Sequence, residues 1–133
     1  MKLTSVYFSA TFTTRRVVDY VSRRLSDQVT KYDITNDAST DEVLLAADEV
    51  LVVGIPVYAG RVPVMAVDRI RRFKGKGSRA VAIAVYGNRH YDDALLELSD
   101  ILSENGFLVI SAGAFLAQHS IFPKVVAHRP DVD

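Results

Sequence analysis

Two continuous apolar runs constrain the fold of this chain more than any other feature. The run "VLVVGI" covers Val50–Ile55, and the run "AVAIAVY" covers Ala80–Tyr86. A strand that is apolar at every position, rather than at alternate positions, is typical of a parallel sheet that is covered on both faces. Segments with helical spacing of apolar residues separate these runs. The chain is therefore predicted to alternate strands and helices.

Five strands and four helices follow from this alternation. The predicted strands are residues 3–8, 29–34, 49–55, 79–86 and 107–116, and the predicted helices are residues 13–28, 39–47, 62–73 and 91–105. The short helix 39–47 is predicted because Ser39 or Thr40 can cap it and Asp41 and Glu42 stand in its first turn. A length of 133 residues suits one domain. The sequence thus predicts a single α/β domain with a doubly wound, five-stranded parallel sheet.

Composition excludes several kinds of function. The absence of Cys excludes disulfides, cysteine nucleophiles and iron–sulfur ligation within the chain, and favours a cytoplasmic protein. Sixteen basic residues balance sixteen acidic ones, so charge gives no indication of nucleic-acid binding. No apolar run reaches the ~18–20 residues of a membrane helix. The three histidines, His90, His119 and His128, lack the spacing of a metal site.

Three loops are predicted to form one ligand site. Open α/β sheets bind ligands at the carboxyl ends of their strands, near the point where the strand order switches. The loops after the first, third and fourth predicted strands lie at such ends. The candidate residues are Ser9, Ala10, Thr11, Phe12, Thr13 and Thr14; Pro56, Val57, Tyr58, Ala59 and Gly60; and Tyr86, Gly87, Asn88, Arg89, Tyr91 and Asp92.

The residue types in these loops indicate a phosphorylated, planar ligand. The first loop supplies hydroxyls at the start of a helix, where free N–H groups and the helix dipole attract an anion. It is neither a Walker A loop nor a GxGxxG turn. Tyr58 and Tyr91 can stack on a flat ring, and Gly60 permits backbone angles closed to other residues. The alternatives are that the hydroxyls only cap the helix and that both tyrosines are core or rim aromatics.

Taken together, these segments resemble a known family. The set "YFSATFTTRR", "GIPVYAGRVP" and "YGNRHYDDALLEL", with "AQHSIF" after the fifth strand, is similar to the flavodoxin-like FMN-binding domain. It is most similar to the short flavodoxin modules that precede ferredoxin-type iron–sulfur domains in anaerobic bacteria. The resemblance implies the flavodoxin-like strand order 2-1-3-4-5. Phe12 stands where the family usually has Gly, and Phe enters positive φ only at a cost.

The resemblance also implies how FMN would be held. Its phosphate would lie on Ser9–Thr14 and its ring between Tyr58 and Tyr91, with the backbone of Ala59–Gly60 and Gly87–Arg89 at the ring edge. In the family a peptide of the second loop flips with the redox state of the flavin, which places that flip at Ala59–Gly60. Arg61 and Arg89, in the ring-edge loops, are expected to stabilise the reduced flavin anion and make its redox couple less negative.

The function implied is electron transfer with a protein redox partner, such as a fused or separate ferredoxin-type iron–sulfur domain. An FMN-dependent reductase of a small acceptor, with a nicotinamide or protein donor, is the alternative. A signalling receiver is disfavoured because acidic residues are missing at the ends of the first and third strands. A basic segment, residues 61–79, and an acidic one, residues 91–104, could steer a partner or be two solvated faces.

The last helix of such a fold is not evident in the sequence. The chain stops at Asp133, shortly after "HSIFPKVVAHRPDVD". Two expectations follow: residues 120–127 cover that face of the sheet, or the chain is a piece of a longer protein. The second is the one we favour.

Overall fold

Strands and helices alternate along most of the chain. In a computed structural model, residues 1–9, 12–37, 39–58, 60–87, 92–117 and 125–126 are described. The strands are β1 (Lys2–Tyr7), β2 (Gln28–Asp33), β3 (Val43–Leu44), β4 (Val50–Pro56), β5 (Phe73–Lys74), β6 (Ser78–Tyr86), β7 (Phe107–Leu116) and β8 (Val125–Val126). The helices are α1 (Phe12–Leu25), α2 (Val64–Ile70) and α3 (Asp92–Glu104).

The main sheet has the predicted topology. Its strand order is β2-β1-β4-β6-β7-β8, and all neighbours are parallel except β8, which runs antiparallel to β7. The five strands predicted from the sequence therefore stand in the order 2-1-3-4-5, which confirms the flavodoxin-like α/β fold. The edge strand β8 was not predicted.

The core lies on both faces of the sheet. On one face, Val17 and Val18 of α1 pack with Val52 of β4. On the other face, Ala66 of α2 and Leu98 of α3 belong to a larger cluster built on β4 and β6. Every residue of β4 from Val50 to Ile55 is buried, because α1 covers one face of the strand while α2 and α3 cover the other. This double burial is the physical reason for the continuous apolar runs.

The predicted helix at residues 39–47 is wrong. Val43 and Leu44 instead form β3, a parallel partner of β5, and the Leu45 N–H donates to the Lys74 carbonyl at 2.8 Å. A helix of nine residues is marginal without tertiary support. Extended pairing buries Leu45, whose side chain is 1% exposed, and so outweighs the local capping signals. Ser39 does accept an N–H, but from the Asp41 amide in a local turn rather than in a helix.

Helix α2 is shorter than predicted. It covers Val64–Ile70 instead of residues 62–73, and Phe73 enters the core as part of β5. Arg72, at this boundary, donates to the Asp41 carbonyl and to the Asp37 carboxylate, both at 2.9 Å. The Ser39 amide and the Arg72 guanidinium hold the pKa of Asp37 below its usual range. These contacts replace the last turn of the predicted helix.

The expectations about the end of the chain stay predictions. Residues 118–124 and 127–133, which include His119 and His128, lie outside the described residues. Val125 and Val126 pair with Phe115 and Ala114 of β7. Neither expectation about a last helix is decided by that pairing.

Candidate functional site

The three predicted loops start from neighbouring strands. β1, β4 and β6 are adjacent in the sheet and parallel, so their carboxyl ends meet at one edge. The strand ends are joined by backbone hydrogen bonds beyond the regular ladder. The Phe8 N–H donates to the Gly54 carbonyl at 3.1 Å, and the Val57 N–H donates to the Val85 carbonyl at 2.9 Å. The starts of the loops are therefore held side by side.

The first loop leads directly into α1. Phe12 is the first residue of that helix, so its backbone is helical and no positive φ is required where the family usually has Gly. The first turn of α1 contains no acidic residue, which leaves its positive dipole end uncompensated. The Ser9 hydroxyl accepts a long, 3.4 Å hydrogen bond from the backbone N–H of Arg15. Thr13 is half-buried, and Ala10, Thr11 and the Phe12 side chain lie outside the described residues.

Helix α1 sits unusually close to β4 because β4 contains Gly54. A Cβ atom built on Gly54 would lie 2.2 Å from Val18 Cγ2 and 3.4 Å from Thr14 Cγ2. Thr14 is 2% exposed, so this side chain takes part in helix–sheet packing as well as lying in the predicted phosphate loop. The glycine thus allows the first turns of α1 to lie close to the end of β4.

The second loop is a tight turn. The Tyr58 and Arg61 backbones exchange two hydrogen bonds, at 3.0 and 2.9 Å, which close a four-residue turn. Gly60 has a φ of 79°, the value that the third position of a type II turn requires. Tyr58 is 48% exposed at the edge of this turn. Ala59 lies outside the described residues, so the predicted peptide flip stays a prediction.

Arg61 is not the free charge that the sequence suggested. Its Nε and Nη2 atoms donate to the two carboxylate oxygens of Glu97 in α3, at 2.9 and 3.0 Å. The Val62 N–H donates to the same carboxylate at 3.0 Å. The hydrogen bonds from Arg61 hold the pKa of Glu97 below its usual range, and the carboxylate in turn raises the pKa of Arg61. Because Glu97 offsets its charge, Arg61 does not support the expected shift of the redox couple.

The third loop begins with a buried ring and an open glycine. Tyr86 is 7% exposed at the end of β6, and Gly87 is exposed, with no atom of the described residues within 4 Å of a Cβ built on it. Asn88, Arg89 and Tyr91 lie outside the described residues, as does the side chain of Asp92. The predicted clamp of two tyrosines therefore stays a prediction on its Tyr91 side.

Sequence reasoning missed two residues that hold the site loops in place. Thr35 contacts Ser9 after β1, and Glu97 fixes the segment after the Gly60 turn. The Thr35 contact had a local signal, because Asp33 and Thr35 are spaced for a side-chain-to-backbone turn at a strand end. The Glu97 contact had none, since it joins residues 36 positions apart.

Ion pairs join the basic segment, residues 61–79, to the acidic segment, residues 91–104. Besides Arg61 and Glu97, Arg71 near the end of α2 donates to Glu104 of α3 at 2.9 Å. Both pairs line a cavity of about 460 Å³ between the two helices. The interpretation of two separate fields that steer a partner is weakened, because each sign partly cancels the other.

Comparison with solved structures agrees with the fold. A flavodoxin from the domain Archaea is 16% identical, with a TM-score of 0.60, and the match covers 87% of this chain and 83% of that one. An NADH:FMN oxidoreductase in its apo form is 15% identical, with a TM-score of 0.66 and coverage of 88% and 76%. A flavoprotein from Lactobacillus acidophilus in complex with FMN is 12% identical, with a TM-score of 0.57 and coverage of 90% and 95%. No family model and no curated protein matches the sequence.

The described residues contain neither a candidate metal site nor a candidate membrane span. Among the described residues, no group of three or more His, Cys, Asp or Glu side chains could hold a metal ion. The same residues contain no helix that is long and apolar enough to cross a membrane. At one edge of the sheet they bring together an uncompensated helix N-terminus, which can attract a phosphate, and a glycine turn with an exposed phenol, which can contact an aromatic ring.

Proposed function

We propose that this chain binds FMN and carries electrons to or from a protein redox partner. The observation that carries the proposal is the convergence of three loops at one edge of a flavodoxin-like sheet. One loop opens a helix without acid in its first turn, one is a Gly60 turn with an exposed tyrosine, and one begins with an open glycine. When bound, FMN supplies the redox chemistry, and the protein positions and tunes it.

The described residues divide the work of binding in this proposal. The Ser9 hydroxyl and the N–H groups at the start of α1 hold the phosphate. Tyr58 covers one face of the ring, and the backbone at Gly60 and Gly87 approaches the ring edge, where a side chain would intervene. Asn88, Arg89 and Tyr91 complete the site from the third loop.

The proposed partner is a protein, such as a ferredoxin-type iron–sulfur domain, fused or separate. The chain itself has no Cys and cannot ligate such a cluster. The proposed setting is the cytoplasm, where a Cys-free flavin carrier and a reduced partner can meet.

A reductase of a small acceptor is the second candidate. Its support is the likeness to the NADH:FMN oxidoreductase, at a TM-score of 0.66. The two candidates differ in a direct measurement. A reductase oxidises NADH or NADPH in the presence of FMN and a small acceptor without any protein partner, whereas an electron carrier requires a donor protein.

Titration of the purified chain with FMN tests the shared claim. Quenching of flavin fluorescence and a stable yellow complex after gel filtration are expected. Tyr58→Ala should weaken binding by about 2- to 10-fold, since a stacked ring contributes about 0.5–1.5 kcal/mol beyond its buried area.

Tyr20→Ala is the matched control, because Tyr20 is 43% exposed and lies on α1 away from the three loops. Its affinity for FMN should equal that of the wild type. Absence of any FMN binding by the wild-type chain overturns the proposed function.

A further inference from the structure

The backbone N–H of Ser9 is held by one residue outside the three loops. The Ser9 N–H donates to Thr35 Oγ1 at 2.9 Å, and Thr35 Oγ1 lies 3.3 Å from the Ser9 carbonyl oxygen. Thr35 follows β2, so the contact joins residues 26 positions apart. This hydrogen bond holds the Ser9 backbone N–H beside the start of α1, where the Ser9 hydroxyl contacts the backbone N–H of Arg15.

Thr35 is itself held in one orientation. Its hydroxyl lies 2.6 Å from Asp33 Oδ1, and its N–H donates to the same oxygen at 3.0 Å. A hydroxyl has a single proton, which goes to the short contact with the carboxylate. The Thr35 oxygen then has lone pairs available to accept the hydrogen bond from the Ser9 N–H.

Arg69 of α2 fixes the same segment from the other side. The Nη1 atom of Arg69 donates to the Ile34 carbonyl at 2.9 Å and also to the Thr35 carbonyl. The guanidinium carbon lies 6.0 Å from the centre of the Phe8 ring, next to Ser9. Among the described residues Arg69 forms no ion pair with a carboxylate, so its positive charge remains beside the loop.

We propose that Thr35 is a positioning residue that makes the site selective for a phosphorylated flavin over the unphosphorylated one. This inference rests on the proposed function. Thr35 keeps the Ser9 backbone from turning, so the Ser9 hydroxyl stays at the start of α1. There, among the hydrogen bonds of the described residues, it accepts the long, 3.4 Å bond from the backbone N–H of Arg15. A phosphate oxygen replaces it as the acceptor of that N–H, while the Ser9 hydroxyl donates to the phosphate.

The inference predicts a loss that depends on the phosphate of the ligand. Without the Thr35 hydroxyl, the Ser9 N–H loses its acceptor and the loop must be ordered when the phosphate binds. A partly buried donor left without its partner is costly, whereas the ring contacts of Tyr58 are untouched. FMN affinity should fall while riboflavin affinity stays.

The experiment compares FMN and riboflavin on three variants of the same strand region. Thr35→Val removes the hydroxyl with little change of shape, Thr35→Ser retains it, and Thr30→Val changes an exposed residue of β2 as the control. Dissociation constants come from quenching of flavin fluorescence. Thr35→Val should lower FMN affinity about tenfold, equivalent to about 1.4 kcal/mol, and riboflavin affinity less than about twofold. Thr35→Ser and Thr30→Val should keep the wild-type ratio of the two affinities.

A second readout needs no flavin at all. In the ligand-free protein, Thr35→Val should speed hydrogen exchange at the Ser9 amide, measured by NMR, while amides of β4 keep their protection. If Thr35→Val does not fold, Arg69→Gln takes its place. It removes the two carbonyl contacts and leaves the Thr35 hydroxyl, and a reduced FMN-to-riboflavin ratio is again expected.

The outcomes separate the two proposals. If the wild type prefers FMN and the variant keeps that preference, the role of Thr35 is refuted and the proposed function stands. If the wild type binds FMN and riboflavin equally, the phosphate is not recognised at Ser9, and the inference fails while flavin binding survives. If the wild type binds neither flavin, the proposed function fails, and the inference with it.

Discussion

Replacing Gly54 by Ala tests the packing that places α1 against the site. The added Cβ would lie 2.2 Å from Val18 Cγ2, whereas ordinary contact begins at 3.4 Å. Val18 cannot rotate away, because a β-branched side chain in a helix has essentially one rotamer. The helix or the strand must therefore move by about 1 Å to restore normal carbon contacts.

The expected cost follows from overpacking of a closely packed core. An added methyl group that forces backbone shifts costs about 1–3 kcal/mol, out of a total free energy of unfolding of about 5–15 kcal/mol. The movement also displaces Thr14 and the N-terminus of α1, so FMN binding should weaken along with stability. Urea unfolding followed by circular dichroism, extrapolated linearly to water, measures the change in stability.

Gly113→Ala is the matched control. Gly113 is half-buried in β7, which is parallel to β6, and a Cβ built there meets its nearest atom, Phe115 Cε1, at an ordinary 3.7 Å. This substitution should be neutral or stabilise the protein by up to about 1 kcal/mol, because Ala restricts the unfolded chain more than Gly. The two substitutions thus have opposite expected signs. A Gly54→Ala protein as stable as the wild type would show that α1 does not lie against β4 as described.

Two further predictions concern the ion pair at the second loop and the small sheet of β3 and β5. Since the folded-state pKa of Glu97 is lowered, its pairing with Arg61 stabilises the protein above the unfolded pKa of about 4.3 and is lost as pH falls through the folded value. Urea midpoints measured from pH 7 to pH 3 should therefore fall less for Glu97→Gln than for the wild type, and high salt should shrink the difference. If the midpoints of the two proteins fall equally with pH, the Arg61–Glu97 pair does not stabilise the fold. Phe73→Ala should destabilise the protein by about 3–5 kcal/mol, since the ring is 0% exposed, whereas Met65→Ala, at a side chain 57% exposed, should cost less than about 0.5 kcal/mol in the same denaturation experiment. A Phe73→Ala loss as small as that of Met65→Ala would show that β5 does not anchor the core.

The central strands could be predicted from the sequence because nearly every residue in them is apolar. Val50–Ile55 and Ala80–Tyr86 are apolar throughout, and only a strand covered on both faces requires that. Their adjacency and the edge at which the loops meet follow from the topology of such sheets. The turn at Gly60 was also visible, since its positive φ favours glycine.

Weak elements were decided by contacts that no local pattern records. Residues 39–47 carry good capping signals for a helix, yet Leu45 is buried by pairing with β5, which lies about 30 residues later in the chain. The same contact shortened α2, because Phe73 belongs to the core rather than to the last helical turn. In both cases the burial of an apolar side chain, Leu45 or Phe73, outweighed the local preference for a helix, and that burial exists only in the folded protein.

By itself, the sequence determined the class of fold and the strand ends from which a ligand site is built, because periodicity and burial are properties of contiguous residues. The tertiary structure alone decided which groups hold the site loops and which charges are free. Thr35 meets Ser9 across 26 residues, and Glu97 neutralises Arg61 across 36. Hydrogen bonds and ion pairs depend on distances of about 3 Å, and such distances between remote residues exist only once the chain has folded.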